Sequence, residues 1–154
     1  MFRTVAAVLL LAATSLQAGS VEPREGWEVR DTDKSFSALA SDLRAAAKAS
    51  GMVVVTQAGP TKAAASRGIT IPGNRIVGVY NNDFAVRMLE QSVPAMIEAP
   101  VRFYVTEDDD GTATLSWKTP SFVFAPYAVD SPGVVSIAKE LDAKFLAIGD
   151  AAAN

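Results

Sequence analysis

Residues 101–118 read VRFYVTEDDDGTATLSWK, and this stretch constrains the fold more than any other. Two runs rich in β-branched and aromatic residues flank Asp110-Gly111, a pair that favours the tight turn of a hairpin. The fold must therefore contain an antiparallel strand pair near its C-terminal third. The same stretch carries four acids in a row, Glu107 to Asp110, which raises the question of metal or acid–base chemistry. A calcium loop needs oxygen ligands spread along a longer loop and closed by a bidentate Glu. Here Gly111 follows the acids directly. Catalytic carboxylate pairs come from separate segments, and burial pushes their pKa values apart. The spacing predicts a solvated hairpin tip and no metal site.

Around this hairpin the hydrophobic periodicity places the other elements. Residues 26–32, GWEVRDT, read as a short strand. Phe36, Leu39, Ala40, Leu43, Ala46 and Ala47 recur at helical spacing, with Asp33 or Ser35 to cap the helix and Gly51 to end it. MVVVTQA, from Met52, is continuous and β-branched, so it predicts a buried strand. Pro60 to Gly68 predict one short helix, and RIVGVYN, from Arg75, a strand. DFAVRMLEQSV predicts a helix capped by Asn82 or Asp83, with Pro94 beyond its end. SFVFAPYAVD, residues 121–130, reads as an aromatic loop or short extended piece. Ser131-Pro132 supply an N-cap and first-turn pair for a last helix. Its stripe is Val134, Ile137, Ala138, Leu141, Phe145 and Ile148. The order β-α-β-α-β-α-β-β-α predicts an α+β domain with a mostly antiparallel sheet and helices packed on one face.

The N-terminus reads as an address. MFRTVAAVLLLAATSLQAGS has one basic residue, an apolar run from Val5 to Ala13 and a small-residue exit. That order predicts a secretory signal peptide over residues 1–18, cut after Ala18. The run is too short for a bilayer, which takes about 20 apolar residues. Residues 19–154 then form one domain, with a core over about 27–149. Of 14 basic residues the signal removes only Arg3, so the mature chain carries 13 basic and 17 acidic residues, a net of −4. That balance argues against a nucleic-acid partner. No later apolar stretch is long enough to span a membrane, which predicts a periplasmic or secreted protein.

The chain has no Cys and no His. Disulfides, thiol catalysis, Ser-His-Asp triads and His-based acid–base work are thereby excluded. A zinc or copper site would have to do without the ligands those metals prefer. Carboxylate, Lys, Tyr, Ser/Thr or Arg chemistry remains, or binding alone.

Residues 74–120 carry an ordered series of landmarks. Asn81 lies in the turn after a strand, Met88-Leu89 in the following helix, and Pro100 before the next strand. Glu107 to Gly111 form the acidic hairpin, and Trp117 to Pro120 the closing strand. In this order they resemble the domain-of-unknown-function 302 family, and the likeness extends over roughly residues 27–130. The resemblance implies a compact α+β domain, admits a homodimer, and brings no reaction and no cofactor. Two departures stand out. The family commonly has an Asp-His pair before the short helix, where this chain reads GPTK. Its turn commonly reads Gly-Asn-Pro, where this chain has Tyr80-Asn81-Asn82. Any role tied to that His is absent or moved.

Two clusters are candidate sites. Tyr80, Asn81 and Asn82 stand where a strand enters a helix, a place that binds anions or merely caps the helix. Trp117, Lys118, Phe122, Phe124 and Tyr127 either line a contact surface or pack the core, while Arg75 and Arg102 read as surface ion-pair partners rather than anion clamps. Tyr80, Asn81, Asn82, Trp117, Lys118 and Tyr127 are taken as the ligand-binding set, with no catalytic residue. The expected function is an exported, non-enzymatic module that binds a small molecule or a protein in the periplasm. The alternative is a hydrolase or isomerase using carboxylate or Lys chemistry.

Overall fold

The computed structural model describes residues 21–129 and 131–154. The expected signal peptide, residues 1–18, lies outside them. Five strands form one sheet: β1 Trp27–Thr32, β2 Val53–Ala58, β3 Asn74–Tyr80, β4 Val101–Glu107 and β5 Ala113–Lys118. Their spatial order is β1-β5-β4-β3-β2, and every neighbouring pair is antiparallel. The helices are α1 Phe36–Ala49, α2 Thr61–Ala65, α3 Asn82–Gln91, α4 Pro120–Phe124 and α5 Pro132–Ala153. The fold is the expected α+β arrangement in the expected order, with one added helix, α4.

The core lies between the sheet and one layer of helices. From β3, β4 and β5 it takes Val77, Val79, Phe103, Val105, Leu115 and Trp117. From α1 it takes Leu39, Leu43 and Ala47, and from α5 Ile137, Leu141, Phe145 and Ile148, the stripes read from helical spacing. α5 packs against α1, α3 and α4. At the centre, the Phe103 and Phe145 rings stack with centroids 4.5 Å apart, and Trp117 tilts against Phe103 at 5.3 Å. Gly149 brings α5 onto Trp117, because a Cβ there would lie 2.3 Å from the indole edge.

Four expectations are corrected by the structure. β2 is an exposed edge strand rather than a buried one, with Val53 at 60% and Val55 at 48% exposure. A continuous β-branched run suits a strand covered on both faces, but among the described residues helices cover only one face of this sheet. The register of β2 against β3 also slips between Val54 and Thr56. Asn81, not Asn82 or Asp83, caps α3: its side-chain oxygen accepts the amides of Asp83 at 3.0 Å and Phe84 at 3.3 Å. Ser131 stands at the N-cap of α5, but its hydroxyl donates to the Gln91 carbonyl at 2.9 Å and leaves the helix amides alone.

The fourth correction concerns the aromatic stretch, which is not extended over residues 121–127. Residues Pro120–Phe124 form α4, and Ala125–Tyr127 a 3-10 turn. Thr119 caps α4 through the Phe122 amide, and Pro120 opens its first turn. The same Thr/Ser-then-Pro signal marks α5 at Ser131-Pro132. Asp142 of α5 then accepts the Ser121 amide at 2.8 Å and ties the two helices together.

An exposed helical Gly replaced by Ala gains up to about 1 kcal/mol of helix stability. At position 149 the new methyl meets a buried indole instead, and overpacking of this kind costs about 1–3 kcal/mol. Gly149→Ala is therefore expected to lower unfolding stability by about 1–2 kcal/mol, read from urea denaturation. A gain in stability would contradict the packing described.

Candidate binding face of the sheet

Side chains alternate across a strand, so each strand has one helix-facing and one outward-facing set. The core set is Phe103, Val105, Val77, Leu115 and Trp117. The other set forms a grid whose rows follow from the strand register. The first row is Trp27, Lys118, Arg102, Gly78 and Thr56. Here Lys118 opposes Arg102, one position beyond the Phe103–Trp117 pair. The second is Val29, Ser116, Tyr104, Ile76 and Ala58. The third is Asp31, Thr114, Thr106 and Asn74.

This outward face holds a cavity of about 400 Å³. Trp27, Ile76, Arg102, Tyr104 and Lys118 border it, with Glu98 of the 3-10 turn Pro94–Glu98 and Val123 of α4 at its rim. The volume is at the lower end of the range for small-ligand sites. A second hollow of about 270 Å³ adjoins it, bordered by Gly73, Thr106 and Glu107. Asn74 and Tyr104 border both hollows. The Asn74 amide donates to the Tyr104 hydroxyl and bridges the two side chains. Gly78 keeps the first row low, because a Cβ there would meet the Thr56 hydroxyl at 2.2 Å and the Pro100 ring at 2.9 Å.

The electrostatics of the face are lopsided. Arg102 and Lys118 are both exposed cations on adjacent strands. Among the described residues neither enters an ion pair; the pairs found are Arg30 with Glu28 and Asp150, Lys34 with Asp42, and Arg87 with Glu140. The Lys118 ammonium lies 5.6 Å from the Trp27 ring centroid, and the Arg24 guanidinium 5.1 Å from it. Glu98 supplies the carboxylate at the rim and accepts the Tyr127 hydroxyl at 2.8 Å. That bond, to a negatively charged acceptor, raises the Tyr127 pKa above its ordinary value.

The residues picked from sequence fall in different places. Lys118 and Trp117 border the larger cavity. Trp117 is only 2% exposed and belongs mainly to the core. Tyr127 is linked to that cavity through Glu98. Tyr80 and Asn81 border a separate apolar hollow of about 40 Å³ that also touches Met52, Phe84 and Met88. Both ends of the Asn81 amide are engaged, one capping α3 and the other donating to the Gly51 carbonyl at 2.9 Å. Asn82 is the exposed first residue of α3. Trp27, Ile76 and Tyr104 carried no site expectation, and Arg102, read as a surface ion-pair partner, enters no ion pair among the described residues. Their signal was the alternation of Arg102 and Tyr104 with Phe103 and Val105, which gains meaning once the strands are paired.

The acidic run does separate structural jobs. Glu107 accepts the Gly73 amide at 2.5 Å, and Asp108 accepts the Thr114 hydroxyl at 2.8 Å. The Gly111 amide donates to the Asp108 carbonyl at 3.0 Å, with Gly111 at φ 85° closing the turn. Asp110 accepts both the hydroxyl and the amide of Thr112, and these bonds hold its pKa below the ordinary carboxylate value.

These features define a class: a single α+β domain, helices on one face of an antiparallel sheet, and a solvent-open hollow on the other. The family profile described as domain of unknown function DUF302 matches residues 28–152, and the chain belongs to that family. The match takes in α5, beyond the stretch that carried the resemblance in sequence. The crystal structure of an uncharacterized conserved DUF302 protein from Bacillus stearothermophilus is similar to it. The TM-score is 0.74 at 19% identity, over 83% of this chain and 98% of that one, a likeness of fold. No curated protein sequence matches the chain.

The Asp110 carboxylate is expected to titrate below the ordinary aspartate range by NMR. Thr112→Val removes its side-chain donor and should move the midpoint up toward that range. A depressed folded pKa means that the carboxylate's contribution to stability is present above the unfolded value and is lost as pH falls through the folded one. An unchanged midpoint in the variant would remove the hydroxyl as its cause.

Proposed function

We propose that this chain is an exported, non-enzymatic binding domain of the periplasm that takes a small ligand on its uncovered sheet face. The observation that carries this reading is the hollow of about 400 Å³ over the first two rows of the grid. It combines apolar and aromatic walls with a few convergent polar groups, the usual composition of a ligand site. Among the described residues no helix covers this face, and Ile76 lies exposed there. The export part of the reading rests on the order of charge, apolar run and small residues in 1–18. Among the described residues no helix is long and apolar enough to cross a membrane.

A hydrolase or isomerase working through a carboxylate acid would want a buried group whose pKa is raised. Asp110 and Glu140, both exposed, are instead shifted down, by Thr112 and by Arg87 respectively. That direction suits a permanent charge rather than a proton donor.

The test has two parts. Fractionation and mass measurement of the native protein should find a periplasmic chain beginning at Gly19; a chain retaining Met1 would refute export. A fragment screen by NMR on residues 19–154 should find molecules that shift the Trp27 indole and Tyr104 signals together. Hits confined to the hollow near Asn81, or none at all, would refute the sheet-face reading.

A further inference from the structure

We propose that the ligand of this face is an organic monoanion, its flat apolar body against Ile76 and Tyr104 and its carboxylate-like group between Arg102 and Lys118. This rests on the binding reading above and narrows it to a chemical class. Arg102 and Lys118 stand opposite each other across β4 and β5, one position beyond the Phe103–Trp117 pair. Opposite residues in an antiparallel pair hold their Cβ atoms about 4.5–5.5 Å apart, and like charges placed so are unfavourable. Among the described residues neither cation is ion-paired, so no carboxylate in direct contact offsets that repulsion. An anion lodged between the two removes the repulsion and gains charge-assisted hydrogen bonds, with the guanidinium able to present two parallel donors.

The rest of the cavity sets the ligand's charge and shape. Glu98 at the rim leaves the three charged groups with one net positive charge, which matches one negative charge better than two. A cationic ligand meets two obstacles. Arg102 and Lys118 repel it, and the aromatic ring that would attract it, Trp27, already has Lys118 and Arg24 within 5.6 Å and 5.1 Å of its centroid. Tyr104 accepts the Asn74 amide, so its own hydroxyl proton is left to donate to the ligand. Ile76, exposed beside Tyr104, gives the apolar body a surface to cover.

The experiment titrates residues 19–154 with naphthalene-2-carboxylate, its uncharged carboxamide and 2-naphthylmethylamine, following Trp27 and Tyr104 by NMR. The carboxylate is expected to bind saturably, at least about tenfold tighter than the carboxamide, a gap of about 1.4 kcal/mol. The amine should bind more weakly than either. Arg102→Gln should weaken the carboxylate about tenfold and leave the carboxamide unchanged, because it removes one charge-assisted partner. Arg102 is exposed, and unfolding curves verify that the variant stays folded; Lys118→Gln repeats the test at the second cation. Equal affinity for carboxylate and carboxamide, or an unchanged affinity in both variants, overturns the inference. So does absence of carboxylate binding at millimolar concentration. If neutral fragments still move Trp27 and Tyr104 in that case, the anion class falls and the binding face stands. If no molecule moves them, both fall.

Discussion

The column Trp117–Phe103–Phe145 decides the shape of this domain. Trp117 and Phe103 are cross-strand partners on β5 and the central strand β4, and Phe145 stacks on Phe103 from α5. Aromatic pairs at these distances add about 0.5–1.5 kcal/mol each beyond the area they bury. Gly149 lets α5 settle onto the indole, and α1, α3 and α4 pack against α5 in turn. The helical layer is thus gathered on one side of the sheet by a single anchored helix.

The opposite side is what that arrangement leaves over. Its outward set mixes long amphipathic residues, Trp27, Arg102, Tyr104 and Lys118, with small ones, Gly78, Ser116 and Thr114. Long side chains standing among short ones enclose a hollow without a second layer. The charge placement there costs the isolated domain something: two cations oppose each other across β4 and β5. Costs of this kind gather at functional sites, because consistency among local choices is relaxed where another demand operates.

Much of the fold was legible in the sequence because it depends on local pattern. The stripe Leu39, Leu43, Ala47 and the stripe Ile137, Leu141, Phe145 give their helices and their buried faces at once. Asp110-Gly111 gives the hairpin. What was not legible depends on neighbours distant along the chain. Whether VVVTQA is central or at the edge is fixed by the strand order, not by its own residues. Thr119-Pro120 carried a cap signal as good as Ser131-Pro132, but the aromatic residues after it drew the reading toward a loop. The candidate face suffered most. Lys118 and Trp117 were picked out together, yet they point into opposite environments because they are adjacent on one strand. Arg102 and Tyr104 joined Lys118 and Trp27 only when the register aligned four separate segments.

The sheet is one-sided, sealed by helices behind the buried Trp117 and uncovered on the side of the half-buried Trp27. The chain has 2 Trp residues, so acrylamide quenching of tryptophan fluorescence reads both sides directly. Trp27→Phe leaves Trp117 alone, and its emission should be blue-shifted and nearly unquenched. The emission lost in that variant should be the red-shifted, readily quenched part of the wild-type signal. A Trp117 that quenches as readily as Trp27 would contradict the account.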